Sequence, residues 1–138
     1  MDFPELVKIH QVFNDEHIED IAGHVKKECS RWEHLFDRNE TIALAMGSRG
    51  ISNMALIAKT VVSFFKQRGN EVIIFPAMGS HGGATAEGQR EVLEGYGITE
   101  EYTGAEIRSS MEVVELDSSG LENRAFIDEN AYSCDSII

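Results

Sequence analysis

The sequence predicts an α/β fold of three layers, with a mostly parallel sheet between flanking helices. Two observations carry that expectation. Short apolar runs that stop at glycine or proline alternate with stretches of helical periodicity, in the order strand, helix, strand, helix, strand, helix. The loop Ala45-Met46-Gly47-Ser48-Arg49-Gly50 then returns as Ala77-Met78-Gly79-Ser80-His81-Gly82, 32 positions later, about one strand–helix unit and its return.

Each element has its own signal. Leu6 to Phe13 alternates apolar and polar residues, the pattern of a half-buried strand. Asn14 is placed to cap a helix, with Asp15 and Glu16 favourable in its first turn. Ile18, Ile21, Ala22, Val25, Cys29 and Trp32 make one apolar face, so that helix is expected to run to about Trp32. Thr41 to Ala45 reads as a strand buried on both faces. Ser52 or Asn53 is placed to cap a second helix, whose stripe is Met54, Ile57, Val61, Phe64 and Phe65, and Gly69 ends it. Glu71 to Phe75 is the next strand, closed by Pro76, and a third helix follows from Thr85 to Tyr96 with Gly97 behind it. Thr85 is followed by Gly88 where a capping box would carry Glu or Gln.

Beyond Gly104 the signals become strands, at Ala105–Arg108, Met111–Leu116 and Arg124–Ile127. Asp117-Ser118-Ser119-Gly120 is a turn that makes a hairpin of the last two. Cys134 to Ile138 reads as the opening of another buried strand. With right-handed crossovers, residues 1–138 are expected to form one Rossmann-like α/β unit, an incomplete domain.

Composition narrows the function classes. The 138 residues are 42% hydrophobic, enough for a core, and the net charge of −12 opposes binding to nucleic acid or an anionic membrane. Charge is uneven: residues 1–40 carry net −5 and residues 84–138 net −10. Residues 41–83 hold Arg49, Lys59, Lys66 and Arg68 against Glu71, net +3, which favours an anionic ligand beside the repeated loops. The lysines and Arg68 are expected on an exposed helix end. No apolar run is long enough to span a membrane, and Met1 to Glu5 lacks the basic and apolar blocks of a secretory signal, so a cytoplasmic location is expected. Cys29 and Cys134 form no C-x-x-C and are expected as free thiols.

Both repeated loops follow the carboxyl end of a predicted parallel strand and precede a helix, the edge where open α/β sheets bind ligands. They are expected to converge and bring Arg49 and His81 over one pocket. Arginine grips a carboxylate or phosphate through a planar fork, and histidine takes or gives a proton near neutrality. Ser48 and Ser80 add hydroxyl donors, although serine also caps helices. Neither loop is a Walker A or G-x-G-x-x-G motif. His17 and His24 stand too far apart along one helix to share a metal, and His10 and His34 sit near element ends. Glu112 and Glu115 read as the wet face of a strand, and Ser109-Ser110 lies at a strand junction near the expected ligand edge.

The string from Phe75 to Gln89 (FPAMGSHGGATAEGQ), with Tyr96-Gly97-Ile98-Thr99 and Ser110-Met111-Glu112-Val113-Val114, resembles the nickel-pincer lactate racemase family and its branch of 2-hydroxy-acid racemases and epimerases. The resemblance covers nearly the whole chain and only the N-terminal third of such a protein. It implies an isomerase that removes hydride from the α-carbon of a 2-hydroxy acid to a nickel-pincer nucleotide while a histidine takes the hydroxyl proton. It implies that His81 is the first catalytic histidine, that Arg49 holds the substrate carboxylate, and that Ser48, Gly79 and Ser80 lie on the cofactor's side. The family's arginine is preceded by an acidic Asp-x-x-Thr-Arg pattern, whereas Met46-Gly47-Ser48-Arg49 carries no acid here. The tethering lysine, the nickel-binding histidine and the second catalytic histidine have no counterpart in the chain. An N-terminal fragment is therefore expected, inactive alone and holding neither metal nor cofactor, with an exposed sheet edge that favours a homo-oligomer or swapped dimer. Two other readings of the loops are a non-catalytic anion-binding or interaction module and a phosphosugar- or nucleotide-binding domain.

Overall fold

Alternate residues of the two central strands face opposite ways, and each set finds its own cover. Ile42, Leu44, Val72 and Ile74 pack with Met54, Ala58, Val62 and Phe65 and with Leu93 and Ile98 on one face. Ala43, Ile73 and Phe75 pack with Ala131, Ile127 and Cys134 on the other. The sheet is thus buried on both sides, as its unbroken apolar runs require. This computed structural model describes residues 6–138 apart from 118 and 121. Met1 to Glu5 and Ser118 of the expected turn lie outside the described residues.

The elements in order are α1 (Ile21–Trp32), β1 (Thr41–Met46), α2 (Met54–Gln67), β2 (Glu71–Pro76), α3 (Ala86–Gly95), α4 (Glu100–Thr103), β3 (Glu106–Ile107), β4 (Val113–Glu115), β5 (Phe126–Asp128), α5 (Glu129–Tyr132) and β6 (Ser136–Ile137). One sheet has the strand order β3-β2-β1-β6, every pair parallel. β4 and β5 form a separate antiparallel hairpin. The fold class is the expected one, an α/β layer with a parallel sheet flanked by helices. Among the described residues no helix is long and apolar enough to cross a membrane.

Several local expectations are corrected. Leu6 to Phe13 forms no strand, and its apolar side chains are open to solvent, Leu6 at 99% and Phe13 at 74%. The segment pairs with no strand of the sheet β3-β2-β1-β6. α1 starts at Ile21 because Asp20 accepts from the Gly23 amide at 2.8 Å. Asn14 closes only a local turn onto Glu16, so His17 and Ile18 precede the helix rather than share it with His24.

Asn53 stands at the head of α2 with φ of 61°, and neither it nor Ser52 caps the helix. The core face of α2 is Met54, Ala58, Val62 and Phe65, while Ile57, Val61 and Phe64 are half-buried toward its flanks. α3 begins at Ala86 rather than Thr85, and Thr85 caps it without a capping box: its Oγ1 accepts from the Gly88 amide at 3.1 Å. The one-turn helices α4 and α5 were not expected. Thr99 caps the first through Tyr102 N, and Asp128 caps the second through the amides of Asn130 and Ala131.

Candidate functional site

β1 and β2 run in register from Thr41↔Glu71 to Met46↔Pro76, and the Ala77 amide extends the ladder to Met46 O at 2.8 Å. The two repeated loops therefore leave the same edge side by side. A cleft of about 420 Å³ opens between them, lined by Gly47, Ser48, Arg49, Ile51, Met54, Ala77, Met78 and His81. Both predicted principals, Arg49 and His81, line it.

Ser48 Oγ is hydrogen-bonded to His81 Nδ1. His81 sits at the head of a 3-10 turn, Gly82–Ala84, that carries the chain into α3. That turn is pressed onto the helix: a Cβ on Gly88 would stand 2.0 Å from the Gly82 carbonyl oxygen, and Gly82 itself has φ of +63°. Only glycine at both positions allows this approach. The result is a short, anchored tether between the β2 exit and α3 that fixes His81.

Arg49 is exposed and, among the described residues, has no hydrogen-bond or ion-pair partner. Its neighbours in the basic stretch are committed elsewhere. Lys59 lies over the Tyr102 ring at 4.4 Å, and Lys66 donates to the Gly104 carbonyl. Arg68 is half-buried rather than exposed as expected, donating to the carbonyls of Glu33 and Phe36 at 2.9 and 3.1 Å. Arg49 is thus the cation of that stretch left to meet an anion.

The remaining predicted residues separate. Gly79 contributes its carbonyl, which accepts from Gln89 Nε2 at 2.7 Å, while Ser80 is exposed and does not line the cleft. Ser109 donates to Ala86 O at 2.7 Å, and Ser110 accepts from Asn130 Nδ2 at 3.1 Å. Ser110 also lines a second trough of about 430 Å³ that shares the Ala77–Met78 rim and runs to Met111, Val113 and Phe126. Glu112 and Glu115 are both exposed and Glu115 is paired with Arg124, but Glu112 precedes β4 and the two lie three positions apart, so they do not form one wet strand face opposite Val113, which is itself exposed. His10, His17, His24 and His34 are all exposed.

Two residues of the site were not anticipated. Tyr96 donates from its hydroxyl to the Ser48 carbonyl at 2.6 Å, and Gln89 holds the opposite loop. A third cleft of about 430 Å³, between α1 and α2, is lined by apolar groups except for His24 and Glu28. It lacks convergent polar groups, so the polar cleft at the sheet edge is the better candidate. Both cysteines are free and half-buried, and burial pushes each thiol above its ordinary range. Comparison with family models, curated proteins and solved structures found no match.

Proposed function

We propose that the chain carries the substrate side of a 2-hydroxy-acid racemase or epimerase of the lactate-racemase type, an isomerase of the cytoplasm. The observation that supports this most is the pairing of an uncommitted arginine with a hydrogen-bonded serine–histidine pair in one cleft at the carboxyl edge of a parallel sheet. A 2-hydroxy acid presents a carboxylate and an adjacent hydroxyl. The Arg49 fork takes the carboxylate through two parallel N–H donors. His81 takes the hydroxyl proton as that oxygen becomes a carbonyl, and gives it back when the hydroxy acid re-forms.

No amino-acid side chain accepts the hydride that leaves the carbon, so that part of the reaction belongs to a cofactor. The described residues offer no ligand set for a nickel ion. Among the described residues no three His, Cys, Asp or Glu side chains converge, and Nδ1 of His81 is engaged by Ser48. What they offer is a clamp for the carboxylate and a base for the hydroxyl.

Titration of the 15N-labelled chain with D- and L-lactate, and with longer 2-hydroxy acids, tests the reading. Amides of the two loops are expected to shift with each hydroxy acid. The His81 ring signals are expected to respond to lactate and not to propionate, which lacks the hydroxyl. Loss of a charge-assisted pair in Arg49→Ala is expected to weaken binding about 10-fold or more. Binding of phosphate esters with no response to hydroxy acids would move the assignment to a phosphosugar or nucleotide ligand, and no response to either would sink it.

A further inference from the structure

The carboxyl edge of the sheet carries two hollows, one toward each face. The cleft of Ser48, Arg49 and His81 lies toward Met54, on the face that α2 covers. The trough of about 430 Å³ lies toward Phe75 and Ile127, on the opposite face. Ala77 and Met78 line both. Met78 is buried at 8% exposure, and Gly79 has no side chain, with open space where a Cβ would stand. The sill between the two hollows is therefore the exposed methyl of Ala77.

The far wall of the trough is apolar although it faces solvent. Met111, Val113 and Phe126 line it at 47%, 58% and 50% exposure. The polar residues among them, Gln89, Ser110, Glu112 and Asp128, include two acids and no cation. Arg124, over the Phe126 ring at 5.0 Å, is paired with Glu115. Apolar side chains flanked by carboxylates suit a neutral apolar group and repel an anion.

We propose that this trough receives the substituent on the α-carbon of the 2-hydroxy acid. The chain then favours long, apolar, monocarboxylic 2-hydroxy acids over both lactate and dicarboxylic ones. The inference rests on reading the Arg49–His81 cleft as the hydroxy-acid site. With the carboxylate on Arg49 and the hydroxyl at His81, the α-carbon has two bonds left, one to hydrogen and one to the substituent. The trough across Ala77 is the adjacent apolar space for that last group. Lactate sends out only a methyl, which leaves the trough empty, whereas a branched four-carbon chain extends over the sill toward Met111 and Phe126.

The test is an NMR titration of the intact chain carrying 15N amides and 13C methionine methyls. The probes are lactate, 2-hydroxy-4-methylpentanoate, 4-methylpentanoate (the same chain without the hydroxyl) and malate, with the Met111 methyl assigned from Met111→Ala. Three added carbons, half-buried in an open trough, are expected to tighten binding about 5- to 10-fold over lactate. The Met111 methyl is expected to shift with 2-hydroxy-4-methylpentanoate and stay still with lactate. Malate, which adds a carboxylate instead, is expected to bind no tighter than lactate. Met111→Ala and Phe126→Ala, both at exposed positions, are each expected to lower the gain about 2- to 3-fold while lactate binding is kept. Equal affinity for lactate and 2-hydroxy-4-methylpentanoate, a gain indifferent to both truncations, or malate as the tightest ligand overturns the proposal and leaves the hydroxy-acid reading in place. A gain shared fully by 4-methylpentanoate, with no response to lactate, instead refutes the hydroxy-acid reading and keeps the trough as a site for apolar acids. No response to any probe overturns both.

Discussion

Replacing Gly88 by alanine sets a general rule against a specific contact. Inside a helix, Gly→Ala ordinarily gains up to about 1 kcal/mol, from reduced freedom of the unfolded chain and better helix propensity. Gly88 is in the first turn of α3, yet its added methyl would stand 2.0 Å from Gly82 O, 2.8 Å from Gly82 C and 2.9 Å from Thr85 Oγ1. Two of those atoms belong to backbone, so relief requires the Gly82 peptide to retreat by more than an ångström. Overpacking of this kind costs about 1–3 kcal/mol. The retreat also endangers the Thr85 Oγ1 to Gly82 O hydrogen bond at 3.1 Å, worth about 1 kcal/mol.

Net destabilisation of about 1–3 kcal/mol is expected, a fall in melting temperature of roughly 3–10 °C for a chain of this size. Gly95 supplies the control in the same helix, because a Cβ there meets nothing within 4 Å. Gly95→Ala is expected to gain about 0.5–1 kcal/mol. Urea unfolding followed by far-ultraviolet circular dichroism measures both against wild type. Equal signs for the two variants, or a Gly88→Ala at least as stable as wild type, would refute the claim that the His81 turn is pressed onto α3.

Other consequences can be checked alongside. Arg49→Ala is expected to change stability by less than about 0.5 kcal/mol while weakening anion binding; a large loss of stability would mean that Arg49 is a structural cap. Leu93→Ala empties a fully buried position between helix and sheet and is expected to cost about 2–5 kcal/mol in urea unfolding, whereas Val113→Ala on the exposed hairpin is expected to cost far less. Asp135 accepts from both the hydroxyl and the amide of Thr41, at 2.6 and 2.8 Å, and these bonds hold its carboxyl below its ordinary range. Its contribution is therefore full above the ordinary carboxylate range and lost as pH falls through the lowered value. The stability gap between wild type and Asp135→Asn is expected to narrow on acidification, and a gap independent of pH would contradict the assignment.

The central strands were legible because Ile42 to Ala45 and Val72 to Phe75 are buried on both faces, and burial on both faces leaves an unbroken apolar run. The ends of α2 and α3 were legible for a local reason, since Gly69 and Gly97 stand directly behind them. The failures are those in which a local signal competed with another or met no partner. Asn14 and Asp20 both offer a cap, and only Asp20 leads into an apolar helical face that α2 can cover. Leu6 to Phe13 alternates correctly but has no neighbouring strand. α4 and α5 each contain a single turn, too short to show periodicity, although Thr99 before Glu100-Glu101 and Asp128 before Glu129 are cap signals that a search for caps alone would have found. At the site, the repeat made Arg49 and His81 visible. Tyr96 stood only at the end of the expected helix and Gln89 only within it, because a hydrogen bond across the tertiary structure leaves no pattern in its own neighbourhood.

The register of the sheet explains why the two copies of the repeat present different surroundings. In the sheet Ala45 pairs with Phe75, yet its counterpart in the repeat is Ala77, two residues further out. A shift of two keeps every side chain on the same face and moves the second loop roughly 6–7 Å beyond the first. With repeats in register, Ser48 would face Ser80 and Arg49 would face His81. The stagger, with the turn in which the His81 amide donates to Met78 O at 3.3 Å, folds the longer loop back so that Ser48 meets His81 instead. Arg49 is left without a side-chain partner among the described residues, while the histidine gains a hydroxyl partner. Two nearly identical loops present different groups because the sheet holds them out of step, and α3 with the Tyr96 that follows it keeps them so, grasping one loop through Gln89 and the other through Tyr96.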